Sequence, residues 1–362
     1  MIGGGVVGLC VAYGLARAGE RVRVLDEGDI AFRAARGNFG LVWVQGKGRD
    51  RPAYARWTMA SARQWPAFAA ELAQRTGVDV ALAQPGGLNL CLDDDELSQR
   101  TAALQRLRDD IGTDYPFEVL NHAAVRALSP HVGPQVAGAL YCPLDGHVSP
   151  LRLLRALVQA FESLGGELCT GARVDELAPR DGGFRVRCGT RWHAGARLVL
   201  AAGLGNPTLA PAVGLRAPVQ PNRGQILVTE RLQPFLGHPT MQVRQTDDGV
   251  VQIGDSMEDV GFDDRTSLPQ LARIADRAIR CFPLLADVNI VRTWGALRVM
   301  SPDGFPVYQA SVQYPGAFVI TCHSGVTLAA QHASVLVDWL RGGPESPDMA
   351  GFKAERFDVQ AH

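Results

Sequence analysis

Met1-Ile-Gly-Gly-Gly-Val-Val-Gly8, continued by Leu9-Cys-Val-Ala-Tyr-Gly-Leu-Ala-Arg-Ala18 and by Val22-Arg-Val-Leu-Asp26, carries the strongest structural signal in the chain. Gly3, Gly5 and Gly8 fill the pattern G-x-G-x-x-G. The first glycine permits a tight turn, the second lets backbone approach a pyrophosphate, and the third lets a helix pack closely on a sheet. A helix N-terminus placed there offers unpaired N–H groups and a favourable dipole to an anion. Val6 and Val7 open that helix and Gly19 ends it. The alternating segment from Val22 to Leu25 then becomes a strand presenting Asp26, with Glu27 beside it, to a ribose hydroxyl. Together these features predict a dinucleotide site, suited equally to a nicotinamide or a flavin dinucleotide.

Several apolar strand residues ordinarily precede the first glycine, and here only Met1 and Ile2 stand there. That strand is central in such a sheet, so its loss leaves neighbouring backbone N–H and C=O groups unpaired. The expectation is therefore that the chain starts too late.

With 362 residues the chain can form two lobes and a substantial buried core. A net charge of −1 and the lack of a basic run give no basis for nucleic-acid binding. No apolar run reaches the roughly 20 residues of a membrane helix, and the N-terminus has no signal-peptide pattern. A cytoplasmic protein is expected, at most peripheral to the inner face of the membrane through a complex. Seven cysteines, odd in number and without C-x-x-C spacing, read as reduced thiols. The eight histidines form no zinc-type pattern, so no metal site is expected.

Downstream, Ala34 to Gly48 is glycine-punctuated with an apolar centre and little charge, and is expected to line a site. Helical patterning runs from about Arg51 to Arg75, with Pro66 expected to break or kink it. Gly86 to Leu92 and Ala139 to Cys142 read as strands, with a charged helix from Asp93 to Ile111 between them. Ser149 caps and Pro150 opens a helix that Gly165-Gly166 stops. Short strands from Leu168 to Val174 and from Phe184 to Cys188 lead to Arg197-Leu-Val-Leu-Ala-Ala-Gly203, an apolar strand whose small end suits a close ligand. From Arg216 to Val291 the pattern turns to strands, with one helix ending near Phe282-Pro283. Ala317 to Thr321 is a buried strand, followed by a helix expected from about Gly325 to Leu340. The expected organisation is a discontinuous nucleotide-binding domain of residues 1–80, 145–215 and 292–345, a substrate domain of 81–144 and 216–291, and a polar tail of 346–362.

This ordered set resembles the FAD-dependent D-amino-acid oxidase and glycine oxidase family over nearly the whole chain. Four segments carry the resemblance: Gly3 to Asp26; Val174 with Ala201-Ala-Gly203; Trp294-Gly-Ala-Leu-Arg-Val-Met-Ser-Pro-Asp-Gly-Phe-Pro306; and Thr321-Cys-His-Ser-Gly-Val-Thr-Leu328. Asn38-Phe-Gly-Leu-Val-Trp-Val-Gln-Gly-Lys47 is similar to β subunits of multi-subunit amine dehydrogenases, among them D-hydroxyproline dehydrogenase, opine oxidase and hydrogen cyanide synthase. The fold implied is α/β with a β-rich lobe: a Rossmann-type FAD-binding domain of the glutathione-reductase kind with an inserted antiparallel-sheet substrate domain.

The resemblance assigns Arg298 to a substrate carboxylate, which needs a planar, permanently charged partner. The bland alternative, a surface ion pair, is disfavoured by the apolar neighbours Trp294, Leu297 and Val299. Trp294 and Met241 join Arg298 as substrate-binding residues. His323 is the candidate general base, with a structural histidine as the equal alternative. Ser324, Gly325, Val326 and Thr327 are expected to bring a helix N-terminus to the flavin pyrimidine. Gly40 and Leu41 are assigned to the flavin N5 edge, Arg36, Gly37 and Asn38 to the pyrophosphate or ring, and Val174, Ala201 and Gly203 to the rest of the cofactor. Some relatives link FAD to a cysteine where this chain has Ala296, so non-covalent FAD is implied, with FMN shared with a partner subunit as a further cofactor.

The activity implied is oxidation of the C–N bond of an amino or imino acid of the D-hydroxyproline, D-proline or glycine type, by hydride transfer to flavin N5. The chain would act as the catalytic β subunit of a multi-subunit dehydrogenase, with partner subunits receiving the electrons. A stand-alone oxygen-using glycine or D-amino-acid oxidase, an opine oxidase subunit, a nicotinamide-dependent dehydrogenase and a non-catalytic subunit with impaired FAD binding are the alternatives. An upstream extension of about five to ten apolar-rich residues, a strand's length, is expected to restore flavin retention.

Overall fold

The computed structural model describes residues 1–28, 34–112 and 114–358. Met1 to Gly3 occupy the central place in which a strand appeared to be wanting. Ile2 forms parallel bridges to both Leu25 and Leu200. On one side Gly3 N–H donates to Leu25 O at 2.8 Å and Leu25 N–H to Met1 O at 2.9 Å; on the other, Ile2 N–H donates to Val199 O at 2.9 Å and Ala201 N–H to Ile2 O at 2.8 Å. These four bonds pair the facing backbone groups of Leu25, Val199 and Ala201.

The sheet so completed runs Glu167–Cys169, Arg23–Leu25, the Met1-Ile2 stub, Leu198–Leu200, Ala317–Thr321 and Val307–Ala310, parallel except for the last pair. Leu198–Leu200 is apolar and buried throughout, as befits a strand covered on both faces. The helices Val6–Arg17, Pro52–Thr76 and Pro150–Ser163 pack against one another on one side. On the other, an antiparallel meander of Glu176–Arg180, Gly183–Cys188 and Arg191–Gly195 places Leu177, Phe184 and Val186 in one cluster with Ile2, Leu25 and Leu200.

Pro66 does not break its helix, which is continuous from Pro52 to Thr76. Proline has no N–H for the carbonyl of residue 62. The Gln84 side-chain amide takes its place, donating to Ala62 O at 2.9 Å and to Leu144 O at 2.7 Å.

The second lobe is built on an antiparallel sheet ordered Val243–Gln245, Val250–Ile253, Gln220–Arg231 and Ile290–Met300. Ile290–Met300 pairs with Gln220–Arg231 along its length, so the boundary expected at residue 292 falls inside a strand of this lobe. A further antiparallel sheet, Gly87–Cys91, Gly138–Cys142 and Glu118–Asn121, abuts the first through Leu88 N–H to Pro239 O at 2.9 Å. Helix Leu268–Cys281 buries Ile274, Ala278 and Cys281 against Leu88, Leu227, Val251 and Ile253.

In place of one helix from Gly325 to Leu340 there are two short ones, Ala329–His332 and Val335–Leu340. The Trp65 indole N–H donates to the carbonyls of Val326 and Thr327, and the Thr327 hydroxyl bonds Leu41 O and Trp43 N–H. These sideways bonds hold the segment as turns. Ser334 Oγ donates back to Ala330 O at 2.7 Å, a side-chain bond that competes with helix continuation. The polar stretch after Pro344 is anchored by buried Met349, Phe352 and Ala354, with Phe352 edge-on to Tyr54 and Tyr308. Among the described residues no helix is long and apolar enough to cross a membrane.

Candidate active site

Two adjoining cavities of about 290 and 220 Å³ share Asn38, Val299, Cys322, His323 and Val326 in their walls. The first is built around the glycine motif. Gly3 has φ +105°, and a Cβ there would lie 2.3 Å from Ala201 O; a Cβ at Gly8 would lie 2.0 Å from Gly3 O. At Gly5 a Cβ would meet nothing within 4 Å, so protein packing does not demand that glycine. Gly5 is also the N-cap of helix Val6–Arg17, which has no side-chain cap and no acid in its first turn. Its leading N–H groups and dipole are left to serve an anion.

Asp26 lines this cavity, 8% exposed. Gly4 N–H donates to its Oδ2 at 2.7 Å and Gly28 N–H to its Oδ1 at 2.9 Å, which fixes the carboxylate. Val6, Val7, Glu27, Val174, Ala201, Gly203 and Gly325 complete the predicted wall. An open glycine beside an uncapped helix start, next to a fixed acid, fits the pyrophosphate and ribose of a dinucleotide such as FAD.

The second cavity takes Gly37, Asn38, Leu41, Ser324, Val326 and Thr327 from the predicted cofactor residues, with Met241 and Arg298 from the predicted substrate residues. Arg298 stands opposite Asn222 in the strand pair. Its Nη1 donates to Asn222 Oδ1 at 3.1 Å and Ser256 O at 2.6 Å, and its Nη2 to Asp255 Oδ2 at 2.6 Å. A Cβ at Gly224 would fall 2.3 Å from Nη2, so that glycine makes room for the guanidinium.

His323 borders both cavities. Burial, with the positive charges of Lys47 and Arg298, pushes its pKa down to about 3. At that value the imidazole is uncharged at neutral pH. Burial pushes the Cys322 thiol up to about 12, so this cavity-lining cysteine stays protonated and unreactive. Ala296 lines the second cavity, and all seven cysteines are free.

Four predicted residues sit elsewhere. Gly8 lies beneath the cavity wall against Gly3 O. Gly40, at φ +90°, is buried where a Cβ would lie 2.4 Å from Val148 O and 3.1 Å from Arg244 Nη2, so it shapes the turn and does not border either cavity. Arg36 is exposed and lines neither cavity. Trp294 acts from behind: its Nε1 donates to Gly37 O at 3.2 Å, supporting the loop that does line the cavity.

Sequence reasoning missed Lys47, although it ends a segment singled out for its lack of charge. Lys47 lines the second cavity, and its Nζ donates to Ser324 Oγ at 2.6 Å. Tyr54 OH donates to the same oxygen at 2.9 Å. Asp145, fully buried, accepts from Val44 N–H at 2.5 Å and Gln45 Nε2 at 2.8 Å, and so fixes the segment leading to Lys47. Burial raises its pKa to about 7. Among the described residues no group of three or more His, Cys, Asp or Glu could hold a metal ion.

Residues 1–339 match the family described as FAD dependent oxidoreductase. The chain is 43% identical over 361 residues to an opine oxidase subunit of Agrobacterium tumefaciens (strain Ach5), covering 99% of this chain and 97% of that protein. It is 30% identical over 409 residues to hydrogen cyanide synthase subunit HcnC of Pseudomonas aeruginosa, covering 99% and 95%. The crystal structure of glycine oxidase from Geobacillus kaustophilus superposes with a TM-score of 0.90 at 25% identity, covering 97% of this chain and 96% of that one.

Proposed function

The chain belongs to the FAD dependent oxidoreductase family, and from that membership we propose that it oxidises the C–N bond of an amino or imino acid as the catalytic subunit of a multi-subunit enzyme. Arg298 carries this reading: a guanidinium in the wall of the cavity that adjoins the dinucleotide cleft, with His323 bordering both. FAD, when bound, supplies the acceptor for the hydride that leaves the substrate α-carbon.

The residues of the chain bind and orient. Arg298 offers a planar fork to the substrate carboxylate, in competition with Asp255, whose side chain is 45% exposed. The positive charges of Arg298 and Lys47 disfavour an ammonium beside them, so the substrate amine is held in the neutral form from which a hydride can depart. His323, kept uncharged, can hydrogen-bond that amine without adding a third cation. Trp43, Ile226, Met241 and Leu297 in the wall displace water from the reacting centre. Catalysis of this kind rests on orientation and on the cofactor, so no acid–base pair is required.

The likeness at 43% identity supports an opine as substrate and a partner-dependent enzyme. A second reading, a stand-alone glycine oxidase, is favoured by the TM-score of 0.90. Anaerobic addition of glycine, D-proline, D-hydroxyproline and an opine to the flavin-loaded protein separates them. Bleaching of the flavin by the opine alone is expected; bleaching by glycine alone would overturn the opine assignment. Arg298→Lys should raise the substrate concentration for half-maximal bleaching about tenfold or more, since the bidentate fork is lost. An unchanged value would remove Arg298 from the site.

A further inference from the structure

We propose that Lys47 is a second carboxylate-binding residue in the cavity it shares with Arg298, the specificity-determining group that meets the second of the two carboxylates an opine carries. This deepens the reading in which Arg298 holds a substrate carboxylate, and rests on it. Arg298 has a carboxylate partner in Asp255, whereas among the described residues no carboxylate oxygen lies within 4 Å of Lys47 Nζ. Asp145 attracts Lys47 from farther away, but its two oxygens face Val44 N–H and Gln45 Nε2.

The ammonium of Lys47 is anchored by a neutral hydroxyl, Ser324 Oγ, which Tyr54 OH also holds. One N–H is thereby used and two remain for a ligand. An ammonium drawn out of water without an anion is unfavourable, and an incoming carboxylate relieves that cost. Burial lowers the Lys47 pKa to about 8, which leaves the group mainly protonated at neutral pH. Both cations act on His323, so the imidazole lies within the field of each. A secondary amine flanked by two carboxylates would meet both cations, and the imidazole of His323, in the wall of one cavity.

The test uses two carboxylates without nitrogen, which cannot be oxidised at a C–N bond. Glutarate has the same three-atom spacing between its carboxylates as such an amine, and butyrate lacks the second carboxylate. Calorimetric titration of the flavin-loaded protein should show glutarate binding about tenfold or more tightly than butyrate, as one additional charge-assisted contact implies. Lys47→Met should collapse that difference, and Lys47→Arg should retain most of it; the flavin content and melting temperature of each variant establish that it is folded. Glutarate and butyrate affinities that fall together in Lys47→Met, or do not change, overturn the role of Lys47. If Arg298→Lys leaves butyrate affinity intact, the Arg298 reading fails and takes this one with it. A butyrate site that depends on Arg298, beside a glutarate preference indifferent to Lys47, overturns the Lys47 proposal alone.

Discussion

A Cβ at Gly5 would touch no protein atom within 4 Å, whereas one at Gly8 would sit 2.0 Å from Gly3 O. Two glycines of one motif therefore answer to different demands, the ligand and the fold. Gly5 has φ −76° and ψ −179°, which alanine adopts freely. Gly5→Ala should leave the melting temperature of the flavin-free protein within a degree or two while weakening flavin retention. Gly8→Ala should lower that melting temperature, because a backbone carbonyl must move. Thermal denaturation beside flavin absorbance after gel filtration reads both effects, and equal behaviour of the two variants would contradict the division. Arg298 was legible because its Trp294-to-Pro306 surroundings are distinctive. Lys47 was not, because nothing in its local sequence announces that Ser324 and Tyr54, hundreds of residues downstream or on the next helix, converge on it.

Elements that punctuate themselves locally appeared as read. Ser149 caps the helix Pro150–Ser163 through Arg152 N–H at 3.4 Å, and Asp93 caps Asp94–Ile111 through Glu96 N–H. The break allowed for at Pro66 does not occur and the single helix expected after Thr327 is divided, because partners remote in sequence decide both. Gln84 satisfies the carbonyl that Pro66 leaves bare, and Trp65 draws the carbonyls of Val326 and Thr327 sideways. Gln84→Leu should thus destabilise by about 1–3 kcal/mol, the cost of a buried acceptor left without a donor. Adding Pro66→Ala restores an N–H for Ala62 O and should recover part of the loss. Strict additivity of the two substitutions in urea denaturation would rule out this coupling.

Across the whole molecule, burial holds three histidines neutral: His147 at about 4, and His323 and His332 at about 3. Unfolded, each titrates near 6.5. Between about pH 6.5 and 4 the unfolded chain therefore binds protons that the folded one refuses, so stability is full above that window and is lost as pH falls through it. Each histidine contributes about 1.4 kcal/mol per pH unit there. Asp145 opposes them: its pKa raised to about 7 makes stability fall as pH rises from about 4 to 7. Of these four groups the three histidines outweigh the one aspartate, so together they make stability rise with pH across the window. Urea midpoints at pH 4.5, 5.5 and 6.5 measure this rise, and His332→Gln, which removes a ring bonded to Tyr308 OH, should take away about one proton's share. A slope that His332→Gln leaves unchanged would show that this ring is protonated in the fold.

By itself the sequence determined the dinucleotide cleft and the alternation between a parallel and an antiparallel lobe, while FAD as the cofactor came with the family resemblance. Cleft and alternation are each written in short, contiguous patterns of glycine, apolar period and capping residues, whose physics is local. Only the tertiary structure decided which side chains face the cavities. It turned Trp294 and Gly40 to supporting positions, left Arg36 outside both cavities, pushed the pKa of His323 down and brought Lys47 into the same wall as Arg298. Those outcomes depend on desolvation and on contacts between residues far apart in the chain, and neither exists until the lobes have packed.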